Sequence, residues 1–174
     1  MTTIKEVAAE FLAQKRIAVV GVSRGGESPA NIIYRKLRDT GYAVFAVNPN
    51  TEMVEGDICF RDLDAIAGGV DGVVIATHPR VTPEIVATCI ALAIPRIWMH
   101  RSFGEGSVDE DAAELAREKG IEVIAGGCPM MYCEPVDLGH KCMRWILGVT
   151  GGLPVDIDIE AEPESPQDQT ATTM

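Results

Sequence analysis

The stretch Ile17-Ala18-Val19-Val20-Gly21-Val22-Ser23-Arg24-Gly25-Gly26 constrains this chain more than any other. Its first four residues are apolar, and Ile17, Val19 and Val20 branch at Cβ, the pattern of a strand buried on both faces. They run straight into glycines and a serine. Ser28-Pro29 then offers an N-cap and a proline for the first helical position, with Ala30 to Arg38 behind them as a helix. A strand, a glycine-rich turn and a helix start, in that order, aim backbone N–H groups and a partial positive charge at one point. Phosphate is the ligand that suits such a point; a tight turn with no ligand is the plain alternative.

The alternation repeats down the chain. Ile4, Val7, Ala8, Phe11 and Leu12 recur at three- and four-residue spacing, which predicts an amphipathic helix over Thr3 to Lys15 with Thr2 or Thr3 near its cap. Strands are expected at Ile17 to Val22, Tyr42 to Asn48, Val70 to Ala76, Pro95 to Met99 and Ile121 to Ala125. Helices are expected from Pro29 to Thr40, from near Asp62, over Val81 to Ala93, over Val108 to Lys119 with Ser107 and Glu110 as a capping box, and over Val136 to Leu147. Ile58-Cys59-Phe60 reads only as a brief extended segment after a turn at Glu55-Gly56-Asp57. Strands alternating with helices select a covered parallel sheet. The expected fold is therefore α/β: a Rossmann-like, doubly wound parallel sheet of about five strands with helices on both faces.

Composition sets the remaining bounds. At 174 residues and 47% hydrophobic content the chain suffices for one domain with a proper core, expected over residues 1–150. From Gly151 on, apolar spacing is lost and Pro, Glu, Asp, Thr and Gln dominate, so residues 151–174 read as an acidic, disordered tail. Six of the acidic residues behind the net charge of −11 lie there. No basic stripe with interleaved aromatics is present, which argues against nucleic acid as a partner. There is no apolar run of about 18 residues and no leader pattern, so neither membrane nor secretion is indicated and a cytoplasmic protein is expected. Five cysteines, an odd number, read as reduced thiols.

In a doubly wound sheet, ligands bind beyond the carboxyl ends of the strands. Those ends are Gly21 to Gly26, Asn48-Pro49, Thr77 to Arg80, Met99 to Arg101 and Gly126 to Met130. Glycines at 21, 25 and 26 do not have the G-x-G-x-x-G spacing of a dinucleotide site. An NAD site also needs an acid about 20 residues on for the ribose hydroxyls, and Asn48-Pro49 stands there instead. Arg24, Arg35, Lys36, Arg80 and Arg101 fall in or near the same crevice, and an arginine's planar fork bonds two phosphate oxygens at once.

Taken together, Ile17-Ala18-Val19-Val20-Gly21-Val22-Ser23, Ala30-Asn31-Ile32, Leu37, Gly41-Tyr42-Ala43-Val44 and Val47-Asn48-Pro49 resemble the CoA-binding domain family. These are small Rossmann-like proteins similar to the N-terminal domain of the succinyl-CoA synthetase α chain. Glu55-Gly56 and Ile97-Trp98-Met99 extend the likeness, which runs from about Ala8 to Gly148. The resemblance implies coenzyme A or an acyl-CoA as ligand. It implies that Gly21, Val22, Ser23 and Arg24 line the pyrophosphate, that Arg35 meets a phosphate, and that Val47, Asn48 and Pro49 flank the adenosine. Thr77, His78, Pro79 and Arg80 would then form the opposite wall. The family commonly has Gln where this chain has His100, and a basic residue where it has Gly127, both toward the thiol end of the ligand.

His100 titrates near neutrality in its ordinary state, yet no nucleophile is marked beside it, and a hydrogen-bonded structural histidine is the simpler reading. The same holds for His78, while His140 belongs to the last helix. Cys128, Cys133, His140 and Cys142 lack the paired knuckles of a zinc site. Cys128 follows Gly126-Gly127 at a strand end, where its thiol would meet that of CoA under oxidation if it were exposed and acidic. Met130, Met131, Met143, Trp145, Ile146 and Leu147 read as core or as the interface of a homodimer. Binding of CoA or acyl-CoA without catalysis is the leading expectation. An NAD(P)-dependent oxidoreductase, or an accessory subunit of a CoA ligase or transferase, is the alternative; an interaction protein with an empty fold is a third.

Overall fold

The computed structural model describes residues 3–151 and 153. In chain order these form α1 (Ile4–Leu12), β1 (Arg16–Val20), α2 (Pro29–Asp39), β2 (Ala43–Val47), β3 (Met53–Val54), β4 (Asp57–Phe60) and β5 (Gly72–Ile75). They continue as α3 (Thr82–Ala91), β6 (Arg96–Met99), α4 (Glu110–Glu118), β7 (Glu122–Ala125) and α5 (Leu138–Thr150), with 3₁₀ turns at Pro79–Val81 and Pro129–Met131. The strands join in one seven-stranded sheet in the order β3-β4-β2-β1-β5-β6-β7. Six of them run parallel and β3 alone is antiparallel, against β4.

Alternation along each strand sorts the core into two layers. Ile17, Val19, Val74, Trp98 and Ile124 face α1 and α2, whereas Ala18, Val20, Val73, Ile75, Ile97 and Met99 face α3 and α4. Helices thus cover both faces, and the fold is Rossmann-like. On the first face Phe11 stands edge-on to Trp98 with ring centroids 5.4 Å apart. Gly72 sits beneath that pair, where a Cβ would come within 2.9 Å of the Phe11 ring.

The five expected strands are all present, and β3 and β4 enlarge the sheet. Ile58-Cys59-Phe60 is part of β4, whose Cys59 and Phe60 pair in register with Ala46 and Val47. Four residues with only Cys59 buried carry too little apolar pattern to announce a strand. The helix expected near Asp62 is absent. Asp62 accepts from Ala65 N–H at 2.9 Å to make one turn, and Gly68 and Gly69, both at positive φ, break the chain before a second can follow. Thr3 caps α1 through a capping box with Glu6, and Ser28 caps α2 with Pro29 following it. Asp109, not Ser107, caps α4, because the Ser107 hydroxyl donates instead to Thr77 O at 2.7 Å. The last helix starts two residues later than expected, Asp137 being its cap, and ends at Gly151 in a left-handed conformation. It packs inward through Leu147 and leaves Leu138, Trp145 and Val149 exposed. Apart from Gly151 and Leu153, the expected acidic tail lies outside the described residues.

Candidate functional site

β1 lies between β2 and β5, so the chain leaves it in opposite directions on its two sides and a crevice opens above its carboxyl end. Gly21 occupies that end at φ 108°, where a Cβ would press on Ala76 O and come within 3.0 Å of Thr77 Cγ2. Only glycine lets the β1 and β5 ends approach this closely.

The following loop is held from below by Asn31, which is fully buried in the first turn of α2. Its Oδ1 accepts from Ser23 N–H at 3.0 Å and from Ser28 Oγ at 2.6 Å, while its Nδ2 donates to Ser23 O at 2.7 Å. Gly21 N–H donates to Val47 O at 3.0 Å. Two of the loop's donors are therefore used internally. Among the described residues the N–H groups of Val22, Arg24, Gly25 and Gly26 make no such bond; Val22 is fully buried, so those of Arg24, Gly25 and Gly26 are the donors left for an anion.

A second brace comes from the β3–β4 hairpin. Its two-residue turn is Glu55-Gly56 with φ 51° and 83°, a type I′ geometry that favours Asn-Gly. Glutamate is held there because its carboxylate accepts from Asn31 Nδ2 at 2.5 Å and from Arg35 at 2.8 Å. Arg35 also donates to Gly26 O at 2.7 Å, so its guanidinium braces the loop from within. Arg38 bonds Glu55 O and Asp57, and this hydrogen bond holds the Asp57 carboxyl below the usual range.

The end of β2 is fixed by Asn48, whose Nδ2 donates to Val22 O at 2.9 Å and whose Oδ1 accepts from Asn50 N–H at 2.9 Å. Beyond it lie two adjoining hollows that share Pro49, Asn50 and Arg61. One, of about 460 Å³, is bounded by Gly21, Val47, Asn48, Thr77, Leu63 and Ile85. The other, about 630 Å³ and more open, is bounded by Arg24, Thr51, Glu52, Met53 and Cys59. Thus Gly21, Arg24, Val47, Asn48, Pro49 and Thr77 come together at one edge. Ser23 lies half-buried beneath the loop, and Val22 is buried in the core. His78 caps the 3₁₀ turn, its Nδ1 accepting from Arg80 N–H at 3.2 Å; Arg80 is exposed, and His78, Pro79 and Arg80 line neither hollow, although Thr77 and Val81 on either side border the smaller one.

His100 does not reach these hollows. It is 7% exposed with its Nε2 3.0 Å from Ser102 Oγ, and burial pushes its pKa down to about 4, so the ring is neutral at physiological pH. Cys128 is 3% exposed and burial pushes its thiol up to about 11, which removes the acidity and access that exchange with a CoA thiol requires. His140 bonds the Asp137 carboxylate at 2.6 Å on α5. Among the described residues no cluster of three His, Cys, Asp or Glu is placed to hold a metal.

The cations divide cleanly. Of the ten arginines, Arg16, Arg35, Arg38 and Arg144 each donate to a carbonyl or carboxylate of the chain, and Arg96 and Arg117 stand 3.7 and 3.5 Å from the carboxylates of Glu122 and Glu114. The side chains of Arg24, Arg61, Arg80 and Arg101 have no partner among the described residues, and all four follow the carboxyl ends of strands, β1, β4, β5 and β6 in turn.

Residues 15–134 match the family described as CoA binding domain. The chain belongs to the CoA-binding domain family. Relatives of this CoA-binding domain include the Bacillus subtilis protein YneT, 29% identical over 125 residues that cover 72% of this chain and 87% of that protein. An ADP-forming acetate–CoA ligase of Archaeoglobus fulgidus is 26% identical over 118 residues, which cover 63% of this chain and only 18% of the ligase. A solved protein of Pyrococcus horikoshii superposes with a TM-score of 0.70 at 29% identity, covering 78% of this chain and 96% of that one.

The edge also holds residues that no motif in the sequence marks. Arg61 borders both hollows, and Leu63, Ile85 and Thr88 bound the smaller one. Recognising β4 as a parallel strand would have placed Arg61 at a carboxyl end; Ile85 and Thr88 lie on α3 and carry no such signal.

Proposed function

We propose that the protein binds coenzyme A or an acyl-CoA across the carboxyl edge of the sheet and performs no chemistry of its own. The observation that carries this reading is the placement of the unpartnered arginines. A chain of net charge −11 keeps four guanidinium groups unpaired among the described residues, all at the edge where the fold binds ligands. The Arg24, Gly25 and Gly26 N–H groups face the pyrophosphate, with the start of α2 behind them. Val47, Asn48 and Pro49 flank the adenosine, and Thr77 to Arg80 form the far wall. Arg35 positions the loop through Gly26 O and Glu55, and His100 packs beneath the edge.

The chemistry of the linings supports binding without turnover. Among the described residues no histidine borders either hollow, and burial raises the pKa of the one thiol there, Cys59. The β2 end carries Asn48 in place of the acid that would take NAD ribose hydroxyls. Calorimetric titration with CoA, dephospho-CoA, NAD and NADP tests the proposal: CoA is expected to bind and NAD is not. Binding of NAD without CoA overturns it.

A further inference from the structure

We propose that Arg61 is the residue by which this site reads a phosphomonoester on the adenosine ribose, and so separates CoA from dephospho-CoA. The inference rests on the CoA reading above and adds a specificity-determining residue to it.

The geometry starts from the strand order. Neighbouring strands lie about 4.8 Å apart, so the end of β4, two places from β1, stands about 10 Å to the side of the loop that faces the pyrophosphate. Arg61 follows β4 directly, and Asn48 N–H donates to Phe60 O at 2.9 Å, which fixes that end beside the β2 end. Between Arg24 and Arg61 runs the open hollow with Pro49, Asn50 and Thr51 along it. A nucleoside whose pyrophosphate sits on the loop and whose base and ribose lie over Pro49 presents its remaining ribose oxygens toward Arg61. It does not present the pyrophosphate there, since the loop already supplies three N–H donors about 10 Å away.

Charge agrees with this. A phosphomonoester carries between −1.5 and −2 near neutrality, as against about −1 for each phosphate of the pyrophosphate, and a planar guanidinium bonds two of its oxygens at once. Arg61 is exposed and has no carboxylate partner among the described residues, although Asp62 is its neighbour in sequence and Glu52 borders the same hollow. Arg38, on α2 beside the same hairpin, is by contrast tied to Asp57 at 2.7 Å. Glu55 and Asp57 of the hairpin are thus engaged by α2, and the arginine at the β4 end is left to the ligand.

The same chemistry is offered by the 3′-phosphate of CoA and the 2′-phosphate of NADP, and the experiment has an arm for each. Wild type, Arg61→Gln and Arg61→Lys are titrated calorimetrically with CoA, dephospho-CoA, NADP and NAD. Loss of a charged bidentate contact predicts that wild type binds CoA about tenfold or more tightly than dephospho-CoA, and that Arg61→Gln abolishes most of this preference. Dephospho-CoA binding should stay within about twofold, because Arg61 makes no contact that the fold needs, and Arg61→Lys should retain part of the preference. An Arg61→Gln variant that weakens CoA and dephospho-CoA alike, or neither, overturns the inference while leaving CoA binding intact. NADP binding that depends on Arg61, without CoA binding, keeps the role of Arg61 and overturns the CoA reading. Binding of none of the four overturns both.

Discussion

Asn31→Asp tests the bracing of the ligand loop with a change of one atom's chemistry and almost no change of shape. Asn31 is fully buried, and its Nδ2 donates both to Ser23 O at 2.7 Å and to Glu55 Oε1 at 2.5 Å. Aspartate keeps the acceptor that holds Ser23 N–H and the Ser28 hydroxyl, but it removes both donor bonds. Leaving Ser23 O without its partner costs about 1–3 kcal/mol, and a second carboxylate at hydrogen-bond distance from Glu55 adds a penalty that Arg35, 2.8 Å from Glu55, only partly offsets. The sum is about 4 kcal/mol, which for a chain of this length lowers Tm by about 10 °C. The sign of the pH dependence follows from the same geometry. A carboxyl buried beside an anion has a raised pKa in the fold, so it holds a proton there that the unfolded chain releases. The deficit is then full at pH 7 and shrinks as pH falls toward 4. Thermal unfolding followed by circular dichroism at pH 7 and pH 4.5 measures both quantities. A variant within about 2 °C of wild type at pH 7, or a deficit that widens at acid pH, refutes the reasoning.

Three further outcomes follow from single sites. Gly21→Ala forces a Cβ against Ala76 O at a φ of 108°, so urea unfolding should show a loss of about 3 kcal/mol or more and CoA affinity should fall with it; an unperturbed midpoint contradicts the close approach of β1 and β5. His100 has its pKa lowered from 6.5 to about 4 by burial, so the unfolded chain takes up a proton that the fold refuses, and stability should fall by about 3 kcal/mol as pH drops from 6.5 to 4; His100→Gln should flatten that dependence in urea titrations, and equal slopes in the two proteins count against it. Cys142 is exposed while Cys59, Cys89, Cys128 and Cys133 are buried, so one thiol should react rapidly with a colorimetric disulfide in the native state and five after denaturation; a fast second equivalent contradicts the burial of the other four.

The sheet's central strands were legible in the sequence because each is a short apolar run closed by a glycine, a proline or a polar residue, and the caps at Thr3 and Ser28 were legible because their side chains act within three residues. What was not legible depends on contacts far apart in the chain. Arg35 lies on α2 beside the phosphate loop, and nothing local reveals that Glu55, twenty residues on, takes its charge. Ser107 and Glu110 have capping-box spacing, yet Thr77 O, thirty residues back, draws the Ser107 hydroxyl away and leaves Asp109 to cap α4. The short strand β4 is stabilised by pairing with β2 and by the hairpin turn, neither of which its own four residues encode, and overlooking it concealed Arg61.

The distinctive Val47-Asn48-Pro49 segment acquires a different meaning once its bonds are known. Asn48 spends its Nδ2 on Val22 O and its Oδ1 on Asn50 N–H, so its side chain ties the β1 loop to the β2 end. An aspartate here would meet the NAD requirement for an acid but would lose the donor that holds Val22 O, and the loop would be untied on the side away from Asn31. Two asparagines, one on α2 and one after β2, therefore clamp the loop after β1 from opposite sides, each presenting a donor and an acceptor at once as an ionised aspartate cannot. Neither adds charge to the edge. With Glu55 and Asp57 paired to Arg35 and Arg38, Arg24 and Arg61 border the open hollow with Glu52 as its one acid among the described residues, and an acidic chain holds a local excess of cation there for an anion.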